Sequence, residues 1–128
     1  LGVACLKAGR HDRAHDVLAS VTQMRPEDGA AVRHLAYCFI MRGDLEQAMQ
    51  AYRRAIDLDR GDWEAYRGLG VACMLKARQS QDDRWEEQAL RHWRRSLVIK
   101  PDQPKRQILE KLIRENSKRQ NPLQGLNY

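Results

Sequence analysis

Few residues in this sequence stand at spacings that chemistry could use. His11 and His15 are four apart, with Asp12 and Asp16 beside them, so on a helix the two imidazoles share a face and could grip a metal ion edgewise. Two ligands do not make a site, and the expectation is a solvated turn with one half-buried histidine and no metal or other cofactor. His34 and His92 are isolated, and His34 is expected to face a neighbouring helix. Cys5, Cys38 and Cys73 are odd in number and form no CxxC pair. A free cysteine packs as a small apolar residue, and the set fits a reducing, cytoplasmic setting. The run Arg91-His92-Trp93-Arg94-Arg95 surrounds a ring with cations, a combination that can follow a phosphate backbone. Catalytic signatures are missing: there is no Gly-rich phosphate loop, no GxSxG, no HExxH and no carboxylate pair that spacing would set in an apolar pocket. These observations argue against an enzyme and against a small-molecule substrate.

Composition narrows the class further. At 128 residues the chain is one compact unit, large enough to bury a core. Aromatic content is low at 6% and charge content high at 31%, as in a thin stack of helices that stay partly wet. The net charge of +6 favours acidic partners; from Lys100 onward seven cations face three acids, so much of the excess lies in the last helix and tail. No run of eighteen apolar residues is present, so no membrane span is expected.

The elements that must position any site are helices. Within residues 29–62, Val32, Leu35, Ala36 and Phe39 fall on one face of a first helix, and Ala48, Tyr52 and Ala55 on one face of a second. Ala36 and Ala48 allow close approach, Phe39 and Tyr52 fill the space above and below, and Gly43 supplies the turn. The same spacing recurs upstream at Leu1, Gly2, Cys5, Ala14, Leu18 and Pro26. Downstream it recurs at Tyr66, Leu69, Gly70, Cys73, Ala89, Trp93 and Pro101.

With these residues the chain resembles the tetratricopeptide repeat family, whose 34-residue unit is a helical hairpin with Leu-Gly, Ala, aromatic and Pro landmarks. The resemblance covers residues 1 to about 101 and implies an all-α, right-handed α-solenoid of about three hairpins. Repeats are expected at 1–28, 29–62 and 63–102, then a capping helix at 103–119 and a flexible tail at 120–128. Leu1 falls at the seventh position of its repeat, so the first two turns of that helix are expected to precede it in a longer protein. The third repeat spans nineteen positions from Gly70 to Ala89 where its counterparts span twelve, an insertion of seven residues. Seven residues are about two helical turns, so both arms can lengthen without turning the apolar face out of register. The first arm is expected to reach Gln79 and the second to begin at a capping box, Asp83 to Glu86, with Trp85 packed on the added turn. After Pro101, Pro104 marks a helix start and Ile108, Leu109, Leu112 and Ile113 form the stripe of a capping helix.

In this family the first helices of successive hairpins line a concave face. Carried over residue by residue, the resemblance implies contacts at Val3, Tyr37 and Val71, at Leu6, Ile40 and Met74, and at Lys7, Met41 and Leu75. It also places Arg33 and Arg67 at the edge, near Ala30 and Glu64. That describes an apolar groove with a basic rim, suited to a protein or peptide with apolar anchors and acidic residues. Family members that clamp a C-terminal carboxylate use Lys, Arg and Asn where this chain has Val3, His34, Glu64 and Gly68, so no such clamp is expected. Trp93 falls at the buried aromatic position of its repeat, which makes the basic run a solvated outer face and argues against nucleic acid. The resulting expectation is a non-enzymatic adaptor with an assembly or chaperone-like role. The alternatives are self-association into a homo-oligomer, or a docking arm of a larger protein.

Overall fold

The computed structural model describes residues 11–120, and side chains for residues 15–117. Among these are six helices and no strand: α1 (His11–Met24), α2 (Gly29–Arg42), α3 (Leu45–Leu58), α4 (Trp63–Ser80), α5 (Asp83–Ile99) and α6 (Arg106–Gln120). Each packs on the next in the chain, and α2 also touches α4. Leu1, Gly2 and Cys5 of the first repeat and the tail beyond Gln120 lie outside the described residues.

Helix ends are set by short polar side chains and one glycine. The carboxylates of Asp28 and Asp62 accept the backbone N–H groups of Ala31 and Ala65 at 3.0 and 3.1 Å, capping α2 and α4. Gly43 closes α2 at φ 83, a left-handed turn in which the Gly43 and Asp44 amides donate to Ile40 and Phe39 carbonyls. The start of α5 differs from expectation by one residue. Asp82 is the cap, accepting from Arg84 N at 3.0 Å. Asp83 is already helical, so Glu86 sits one place too deep to reach back to the cap. It is buried, and its Oε1 has no hydrogen-bond partner among the described residues.

The insertion is shared between both arms. α4 and α5 have 18 and 17 residues, against 14 each in α2 and α3, so the extra residues divide four and three. Trp85 lies half-buried against the core on the added turn. Val32, Ala36, Ala48, Tyr52 and Ala55 are buried as the periodicity required, and Trp93 with them. Two close approaches organise this core. A Cβ on Gly68 would collide with the Tyr52 ring from α3, and one on Gly70 with the Trp93 indole from α5. The Trp93 Nε1 donates to the Arg67 carbonyl at 3.2 Å.

Cys38 and Cys73 are free and buried, and burial raises both thiols, Cys73 to about 11, so neither is a ready nucleophile. His15 meets the Phe39 ring edge-on at 5.1 Å and so joins α1 to α2. On α6, Leu109 is buried and Leu112 and Ile113 pack on the core, whereas Ile108 is exposed. The helix starts at Arg106, two residues after Pro104, with Lys105 in a left-handed turn at φ 59.

Two expectations follow from this packing. Gly70→Ala forces the Trp93 indole aside and strains its bond to Arg67, which should cost about 1–3 kcal/mol in urea unfolding; unchanged stability would contradict the close approach. His92 is half-buried on α5 with its ring 6.4 Å from Tyr66. Burial, with the Arg53 and Arg91 cations adding to it, holds its pKa at about 4 against the ordinary 6.5. The unfolded chain therefore takes up this proton first, so the stability that the neutral ring contributes is full above pH 6.5 and is lost as pH falls toward 4. The difference in unfolding free energy between the native chain and His92→Gln should narrow across that window, and a pH-independent difference would refute the assignment.

Candidate functional site

α2 and α4 run side by side, and every fourth residue of each faces a shared groove. Arg33, Tyr37 and Met41 form one wall, and Arg67, Val71 and Leu75, each 34 positions later, form the other. The groove has a volume of about 570 Å³, comparable with small-molecule and peptide pockets. Its floor is Tyr52 of α3 beneath Gly68; Ile40 lies on the same side, and Trp63, Glu64, His34 and Pro104 complete the lining. Tyr37, Met41, Val71 and Leu75 keep 43, 44, 37 and 40% of their surface in solvent. Four large apolar side chains thus stand open on one concave face.

The rim is less basic than the residue types suggest. Arg33 donates from Nη1 to Asp62 Oδ2 at 2.8 Å, and its Nη2 is 3.8 Å from Glu64 Oε1. Asp62 is buried and also caps α4, so Arg33 is neutralised by the chain itself rather than held for a partner's acid. Arg67 donates from Nη1 to Gln103 Oε1 at 3.2 Å and to the Pro104 carbonyl at 2.7 Å. The buried Gln103 amide in turn donates to Ser96 Oγ and to the Lys100 carbonyl, both at 3.0 Å, and Ser96 Oγ donates to the Trp63 carbonyl. This network ties the loop before α6 to the first turn of α4 and fixes Pro104 as an end wall.

Of the residues carried over from the family pattern, Arg33, Tyr37, Ile40, Met41, Glu64, Arg67, Val71 and Leu75 line the groove. Met74 does not. It is 6% exposed and belongs to the core, because one residue along a helix turns the side chain by about 100°, and it is Leu75 that reaches the groove. Val3, Leu6 and Lys7 lie outside the described residues. His34, expected against a neighbouring helix, lines the wall instead; burial, then the Arg33 charge, lowers its pKa. Trp63 was missed, yet the fourth-residue ladder through Leu75, Val71 and Arg67 reaches it in one further step back.

Residues 6–78 match the family model described as tetratricopeptide repeat. The chain belongs to the tetratricopeptide repeat family. Among solved structures, it superposes on the type III secretion translocator chaperone SycD of Yersinia enterocolitica with a TM-score of 0.82 at 11% identity, covering 94% of this chain and 89% of that one. It also superposes on the first tetratricopeptide domain of Spaghetti (RPAP3) with a TM-score of 0.78 at 20% identity, covering 91% and 85%. The human protein O-mannosyl-transferase TMTC1 is 26% identical over an alignment of 116 residues that covers 85% of this chain and 13% of that protein. The chain spans 7% to 46% of the lengths of the curated relatives it matches. The fold is that of a helical repeat used for protein interaction, and among the described residues no helix is long and apolar enough to cross a membrane.

Asp62 serves the fold twice, as the α4 cap and as the partner of Arg33. Asp62→Ala should therefore cost about 2–3 kcal/mol in denaturant unfolding, more than Asp28→Ala, which removes a cap alone. Equal losses in the two variants would contradict the double role.

Proposed function

We propose that this chain is a non-enzymatic interaction module that holds a segment of another polypeptide in the groove between α2 and α4, in an adaptor or assembly role. The observation that carries this reading is the ladder of exposed apolar side chains, Tyr37, Met41, Val71 and Leu75, on one concave face. Each Leu-sized anchor buried there would contribute roughly 1.5–3 kcal/mol. Two or three anchors, less the cost of ordering the segment, correspond to micromolar affinity. Met41 suits such a wall because its unbranched thioether adapts to irregular shapes.

Solved relatives support the class of ligand. The RPAP3 domain was solved bound to the HSP90 peptide SRMEEVD, and SycD is a translocator chaperone. The ligand of this chain is proposed to differ from a C-terminal carboxylate seized by cations, since Glu64 and Gly68 occupy two of the positions such a clamp would need. The stretch shared with the mannosyl-transferase is 13% of that enzyme, which fits a docking arm rather than a catalytic part.

Peptides selected from a displayed random library should bind the chain with micromolar affinity, and Met41→Glu with Leu75→Glu should abolish that binding while thermal unfolding stays cooperative. Binding that survives both substitutions would refute the groove. Light scattering across concentrations tests the self-association alternative: a monomer is expected, and a dimer that dissociates on the same two substitutions would overturn the proposal.

A further inference from the structure

Resting on the groove reading above, we propose that the groove selects a segment carrying one carboxylate, seated on Arg67 at the Trp63–Pro104 end, followed by apolar side chains at Val71 and Leu75. Arg67 and Arg33 occupy equivalent places on α4 and α2, yet the two differ in what surrounds their charge. Arg33 already has the buried Asp62 carboxylate at 2.8 Å. A ligand's acid would have to compete with a group that also caps α4. Arg67 bonds only neutral oxygens, Gln103 Oε1 and the Pro104 carbonyl, and both bonds leave from Nη1. No carboxylate among the described residues is ion-paired with it. Its remaining three N–H donors, two on Nη2 and one on Nε, keep a full positive charge behind them. Arg67 is half-buried and its Nη1 is held by two acceptors, so a carboxylate gains a charge-assisted bond without displacing an internal partner or ordering a loose side chain.

The spacing along α4 adds a register. Arg67, Val71 and Leu75 are four residues apart, a rise of about 6 Å per step on a helix. An extended segment covers about 6.6 Å in two residues and turns alternate side chains the same way. An acid, an apolar residue two positions along and another four along therefore match the three rungs, and the groove becomes a reader of acid-x-apolar-x-apolar segments. The acid is an Asp or Glu side chain, because Glu64 and Gly68 stand where a clamp for a free carboxyl terminus would need cations.

Fluorescent peptides presenting Glu-x-Leu-x-Leu, its Gln counterpart, and the reversed Leu-x-Leu-x-Glu with a blocked or free carboxyl terminus distinguish a side-chain acid from a terminal one. The acidic peptides are expected to bind the native chain about tenfold to a hundredfold more tightly than the Gln peptide. That preference should vanish in Arg67→Met, and also in Gln103→Glu, which sets a carboxylate of the chain itself beside Arg67. A gain with the blocked acidic peptides is the expected result, and a gain only on freeing the carboxyl terminus overturns the side-chain assignment. Equal binding of the Glu and Gln peptides, or a preference that persists in both variants, overturns the Arg67 assignment. If those peptides still lose affinity on Leu75→Glu, the groove reading stands without it; binding indifferent to Leu75→Glu, or no binding by any peptide, overturns both.

Discussion

α4 is held between two aromatic rings that sit where it has no side chain. Tyr52 of α3 lies over Gly68 and Trp93 of α5 over Gly70, so the helix is gripped from the preceding hairpin and from the second arm of its own, at points two residues apart. Dispersion between close-packed groups falls off steeply with separation, and glycine allows the backbone itself to meet the ring face. The Ala36, Ala48, Ala55, Ala72 and Ala89 side chains, all fully buried, extend the same close fit. Without it the walls of the groove would splay, because the groove is the space left between α2 and α4 once Tyr52 has set their separation.

Polar groups then hold the position that packing has chosen. Arg33 reaches from α2 to Asp62 at the start of α4, and Arg67 reaches from α4 to Gln103 and Pro104 ahead of α6. The first link joins the first helices of successive hairpins and the second joins α4 to the loop before the capping helix, across 29 to 37 residues of sequence. A groove braced in this way loses little freedom when it is filled, which lowers the cost of binding. The same braces redistribute charge: one arginine is spent on the fold and the other keeps its field at the groove mouth.

Much of the fold was legible from the residues. The fourth-residue and third-residue spacing of Val32, Ala36, Ala48, Tyr52 and Ala55 identified the packing faces, and the seven added residues could only be accommodated as whole turns, which is how α4 and α5 share them. Part of the site was legible too, since 34-residue steps pair Tyr37 with Val71 and Met41 with Leu75. The error at Met74 arose in the run 69–75, which is apolar throughout, so pattern placed neighbouring Met74 and Leu75 alike at the groove. The pairing of Arg33 with Asp62 and the place of His34 were illegible because they depend on how two helices distant in sequence approach each other. The cap moved from Asp83 to Asp82 because two adjacent aspartates both satisfy the local rule, and a single residue of helix decides between them.

A partner segment seated on the open apolar wall of α2 and α4, rather than on the other exposed apolar residues, can be located by methyl NMR of the chain with a selected peptide carrying a nitroxide spin label. The Ile40, Met41, Val71 and Leu75 methyl signals are expected to broaden, while those of Met24, Val98 and Ile108, exposed elsewhere, stay sharp. Broadening centred on Met24, Val98 or Ile108, with the groove methyls unaffected, would contradict that placement.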